Sequence, residues 1–149
     1  MTHMLFKKVI APATLLLAVF GYAGGASAHE QYGALGKAAS ATDYYQITCS
    51  DDGNGPGDHL FVQIKDLAPV AKPMVSILVV NGLQAKNATD AVDGNATGSP
   101  GLNIKGTTQT YYVLVSKTAA GAENYFFDYH CLTANGSHTG TDIYPFQNQ

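Results

Sequence analysis

The stretch Asn124-Tyr125-Phe126-Phe127-Asp128-Tyr129-His130-Cys131 decides the fold. Read with a period of two, it sets Tyr125, Phe127, Tyr129 and Cys131 on one face and Phe126, Asp128 and His130 on the other. One face is aromatic and ends in a cysteine; the other carries the polar groups. That alternation predicts a strand packed on a core through the tyrosine and cysteine face.

Five further runs share the pattern and are split by Gly, Pro, Asn and Asp: 43–50, 59–67, 74–81, 102–105 and 108–117. With the run 124–133 these make six strands, and a weaker run, 84–92, adds a seventh. Tyr45, Ile47 and Cys49 share the apolar face of the first run. Leu60, Val62 and Ile64 face inward in the second, with Phe61, Gln63 and Lys65 outward. The run from Met74 to Val80 is nearly all apolar and reads as a central strand buried on both sides. No long helical period and no internal repeat interrupts this series. The expected fold is all-β, one antiparallel β-sandwich of about seven strands with immunoglobulin-like architecture.

The N-terminus sets the compartment. Lys7 and Lys8 precede an uncharged, largely apolar run, Val9 to Phe20, and small residues ending Ala26-Ser27-Ala28. This is the pattern of a signal peptide with an A-x-A cleavage site. The expected organisation is a leader over 1–28, an N-terminal arm or short edge strand over 29–42, and a sandwich domain over 43–149. Removing the first 28 of 149 residues leaves 121, enough for one domain and one core. No membrane-spanning segment is expected in that chain, which should work in the periplasm or outside the cell.

Cys49 and Cys131 both fall after the leader and both lie on the more apolar face of their strands. In an oxidising compartment two such cysteines are expected to form a core disulfide. A four-thiolate zinc site is excluded by their number. The segment Asp128-Tyr129-His130-Cys131, with a tyrosine two residues before the cysteine, resembles the tyrosine corner of immunoglobulin domains. The chain lacks the tryptophan that packs on that disulfide in the family.

Charge narrows the partners. Six lysines remain after the leader against eleven acids, a net charge of −5, and there is no arginine. Without a basic footprint or a guanidinium fork, nucleic acid is not an expected partner. An unidentified protein or small ligand is, and self-association is a further option.

Cleavage after Ala28 would leave His29 as the first residue, free to offer its amine and Nδ1 to one ion. A second histidine would complete a three-nitrogen site suited to Cu(II). This arrangement resembles the histidine brace of lytic polysaccharide monooxygenases and of some periplasmic copper carriers. Copper is therefore one expected cofactor, with His59, His130 and His138 the possible partners of His29. Calcium is another. In the loop from Ser50 to Asp58, the oxygens of Asp52, Asn54 and Asp58 could hold Ca²⁺, although Pro56 and Gln63 break the EF-hand pattern. The loop Asp90-Ala91-Val92-Asp93-Gly94-Asn95 has similar composition. No catalytic motif is present: there is no G-x-S-x-G, no H-E-x-x-H and no phosphate-cradling glycine loop.

Three functions follow as expectations. The first is a non-enzymatic binding or structural module. The second is a periplasmic copper-binding protein using His29. The third is a fibre or surface-layer subunit that assembles by passing its N-terminal arm to a neighbour as an added strand.

Overall fold

The computed structural model describes residues 29–149; the leader expected over 1–28 and its cleavage site lie outside the described residues. Among the described residues nine strands form, and no helix. They are β1 (His29–Leu35), β2 (Asp43–Ser50), β3 (His59–Leu67), β4 (Val75–Asn81), β5 (Gln84–Thr89), β6 (Leu102–Lys105), β7 (Thr110–Lys117), β8 (Glu123–Leu132) and β9 (Gly140–Gln147). One sheet has the order β1-β8-β3-β6 and the other β5-β4-β7-β2-β9, with every neighbouring pair antiparallel. The two sheets enclose the core as a sandwich.

The inward faces are the ones the alternation marks. Tyr45, Ile47 and Cys49 of β2 face Tyr125, Phe127, Tyr129 and Cys131 of β8, all buried. Leu60, Val62 and Ile64 of β3 and Val113 and Val115 of β7 complete the layer. Cys49 and Cys131 are bonded, with Cα atoms 5.5 Å apart. Because β2 and β8 belong to different sheets, the bridge ties the two layers together.

Two strands exceed the expected seven. β1 is the N-terminal arm, folded as an edge strand along all seven rows of its pairing with β8. Its Gly33 lies over the Tyr125 ring, where a Cβ would collide. β9 closes the other sheet against β2. Pro145 disguises it in the sequence, and proline is tolerated there because β9 is an edge strand. The two-sided burial expected of the fourth strand is not found. Val75, Ile77 and Val79 are fully buried, but Leu78 on the outer face is 37% exposed. A two-layer sandwich has no third layer to cover that face.

A buried polar knot joins the layers. The Tyr125 hydroxyl donates to Asp43 Oδ2 at 2.5 Å and lies 2.5 Å from the Tyr45 hydroxyl. The Gln149 amide donates to Asp43 Oδ1 at 2.6 Å, drawing in the C-terminus. Burial raises the pKa of both tyrosine hydroxyls, that of Tyr125 strongly, so they stay protonated as donors. The hydrogen-bonded core tyrosine of β8 is thus Tyr125, six residues before Cys131.

Candidate metal-binding site

Three of the four sequence-selected histidines meet at one end of the four-stranded sheet. β8 supplies His130 on its outward face, opposite Phe61 of β3. The two rings stack, with centroids 6.0 Å apart and planes 15° apart. β1 supplies His29, level with Tyr129. Since β1 and β8 are antiparallel, the N-terminal end of β1 runs towards the row of His130. The His29 ring packs on Tyr129 at 5.6 Å and meets the His130 ring edge-on at 6.4 Å.

His138 arrives by a tight turn. Thr133 and Ser137 bond through their backbones at 2.9 Å, and the Asn135 side chain accepts from the Ser137 amide at 3.2 Å. Gly136 takes the left-handed conformation that the turn needs, with φ of 83°. The turn folds His138 back beside Leu132, and its exposed ring lies 4.6 Å from that of His130.

His59 is not drawn in. Its Nδ1 lies 3.2 Å from Asp58 Oδ2, and Lys105 holds the other Asp58 oxygen at 3.0 Å. The ammonium beside it lowers the Asp58 carboxyl below its usual range.

The polar atoms of this corner are under-used. His29 Nδ1, His130 Nδ1 and, two residues along the same strand face, Asp128 Oδ1 are buried without a hydrogen-bond partner. Each such group costs about 1–3 kcal/mol unless something satisfies it. Burial lowers the His130 pKa first; the nearby His138 and His29 lower it further, against the opposing charge of Asp128. The ring is thereby kept neutral, with a lone pair free for a metal.

Among the described residues, no three His, Cys, Asp or Glu side chains are gathered closely enough to hold an ion by themselves. A brace needs only two, because its third nitrogen would be the amine that the expected cut after Ala28 frees on His29. Two imidazoles on opposite sides of one ion would have ring centres about 6 Å apart, given metal–nitrogen bonds of about 2 Å. The His29–His130 spacing fits that requirement. The donor set, nitrogen with one nearby carboxylate, suits Cu(II) better than a hard cation.

The calcium candidates sit elsewhere and are otherwise engaged. Asp51 Oδ1 accepts from the amides of Gly53 and Gly55 at 2.8 and 3.0 Å. Asp52 Oδ1 accepts from the Asn54 amide and the Thr139 hydroxyl at 3.2 and 3.3 Å. Asp58 turns to Lys105 and His59 instead of joining Asp52 and Asn54. These carboxylates shape the loop, as Asx turns do. Between this loop and the turn before β9 lies an open cleft of about 360 Å³, lined by residues 54–58 and 133–135.

Sequence reasoning passed over Asp128 as a member of the site. Its parity with His130, two residues on, was the available signal. Neither the models of known protein families nor the curated proteins match this chain. What the protein does is therefore argued from the histidine corner itself.

Proposed function

We propose that this chain is an exported binding module that holds one Cu(II) ion through the amine and Nδ1 of His29 and the ring of His130. The observation that carries the reading is the meeting of His29 with His130 at 6.4 Å, both with a buried, unpartnered Nδ1. The leader read in the sequence supplies the cut that frees the amine, and the periplasm or cell exterior as the place of work. His138, exposed and 4.6 Å from His130, is placed to cover the ion or to pass it on. Asp128 supports the His130 side with negative charge.

When bound, copper would supply a tetragonal nitrogen-ligated centre. The chain's own part is to fix the two rings. Stacking on Phe61 sets the plane of His130, and pairing of β1 with β8 fixes His29 at the strand end. The fibre reading loses support, because the arm it needs as a donor is already paired within its own sheet.

Calorimetric titration of the chain beginning at His29 with Cu(II) tests the proposal. One equivalent is expected to bind, with affinity falling by at least about tenfold in His130→Ala, as for loss of a first ligand or its orienting partner. His59→Ala is expected to bind as the wild type does. Equal affinity in all three would overturn the site.

A further inference from the structure

The outward positions of an antiparallel sheet that faces water ordinarily carry polar and charged residues. On the five-stranded sheet they do not. None of the outward residues of β4, β7 and β2 is charged, and the middle of the face is made by Leu78, Leu114, Tyr112 and Tyr44. β9 adds Tyr144 and Phe146, with Asp142 at its end. The rings touch in series: Tyr112 and Tyr44 with centroids 5.9 Å apart, Tyr44 and Phe146 at 5.0 Å, Phe146 and Tyr144 at 5.2 Å. We propose that this face is where two copies of the chain meet.

Exposure sets this face apart from the rest of the surface. Among the described residues eight large apolar side chains are exposed, and four of them, Leu78, Tyr112, Tyr144 and Phe146, share it. Single exposed apolar residues are ordinary, whereas a contiguous group marks an interaction surface. The outward face of the other sheet carries Glu30, Lys65, Lys105 and Asp128 beside its histidines. Absence of charge with enrichment in Tyr and Phe is the composition of an interface core. Tyrosine suits that place, because its ring is buried on contact while its hydroxyl reaches the wet rim.

Charge and size select a second copy as the occupant. From His29 onward the chain carries a net charge of −5, so two copies repel one another as they approach. Across this face no like charges oppose each other except at the Asp142 rim. The sheet's five strands have six to eight residues each. At about 4.8 Å between strands and about 3.3 Å per residue, they make a face of about 600 Å². Two copies would together cover about 1,200 Å², the lower end of the range for specific interfaces. Sheets stack face to face in this way about 10 Å apart, with their strands nearly aligned. The edge of the same sheet is a poorer route, because β9 carries Pro145, a residue that blunts edge pairing. The histidine corner lies on the other sheet, so pairing leaves it open and does not depend on copper.

Sedimentation velocity of the chain beginning at His29, over a range of concentrations, tests the proposal. A reversible dimer is expected, with a dissociation constant of about 10 µM or tighter, so that dimer dominates at about 100 µM. Tyr112→Asp sets like charges against each other in the middle of the face and should raise that constant at least about tenfold, with the β-sheet circular dichroism unchanged. Phe146→Asp, on the edge strand and clear of the core, should do the same. Tyr32→Asp changes a side chain that is 62% exposed on the other sheet and should dimerise as the wild type does. So should His29→Ala, which separates this interface from the copper site. A chain that stays monomeric at about 100 µM would overturn the proposal, including one whose tyrosines answer instead to a neutral polysaccharide. A dimer unaffected by both Tyr112→Asp and Phe146→Asp, or one lost equally in Tyr32→Asp, would overturn it too.

Discussion

Replacing both Cys49 and Cys131 with alanine should cost about as much stability as the most damaging single core truncation. The bridge closes a separation of 82 residues between strands in different sheets. In the chain-entropy model such a loop contributes about 4.5 kcal/mol by restricting the unfolded chain. A chain of this size has a total stability of about 6–18 kcal/mol, so the loss is a large share. At about 4 °C per kcal/mol, the Tm should fall by about 18 °C. Thermal and urea denaturation of the oxidised protein and the double variant measure the Tm and the free energy. Because the effect lies in the unfolded state, the denaturant slope should also rise when the cross-link is removed and the unfolded chain expands. A Tm lowered by less than about 4 °C, with an unchanged slope, would refute the entropic account of this bridge.

Two further outcomes test the packing and the charges. Ile77→Ala should destabilise by about 2–5 kcal/mol and Leu78→Ala by well under half of that in equilibrium denaturation, because only the first leaves a core cavity; equal losses would contradict the one-sided burial of β4. The buried Asp66, raised to about 7, binds a proton in the folded state that the unfolded chain, near 3.9, releases. Its contribution is full below about pH 4 and is lost as pH rises through about 7. The Tm should therefore fall over that window, and Asp66→Asn should flatten the dependence. A wild-type Tm that climbs steadily from pH 4 to 7 would contradict the assignment.

Most of the sandwich was legible because its strands are one-sided. Parity placed Tyr125, Phe127 and Tyr129 with Cys131, and Tyr45 and Ile47 with Cys49, and the disulfide follows from two cysteines on two inward faces. Parity fails at edges. β1 carries Gly33 and Ala34, which read equally as an arm or a short edge strand, and β9 carries Pro145, which an edge tolerates and a local pattern reads as loop. It also fails to count layers, so the apolar run of β4 looked doubly buried although Leu78 faces solvent.

The histidine corner depends on register and on one turn, neither of which spacing reveals. His138 reaches His130 only because the turn at Asn135-Gly136 reverses the chain; that dipeptide was the readable signal for it. The burial of Asp66 was legible in principle, since it continues the inward row of Leu60, Val62 and Ile64. Glu123 precedes Tyr125 in the same way. A carboxylate on a core face is itself a mark of a buried charge that needs a partner.

The central claim is that the amine and ring of His29 share one copper ion with His130. Cu(II) electron paramagnetic resonance, on chains beginning at His29 with that amine free and with it acetylated, tests this most directly. The first should give a tetragonal signal with nitrogen coupling. Acetylating the amine, or changing His130→Ala, should remove nitrogen from that signal while leaving the β-sheet circular dichroism unchanged. A signal without nitrogen coupling, or one identical in all three proteins, would contradict the account.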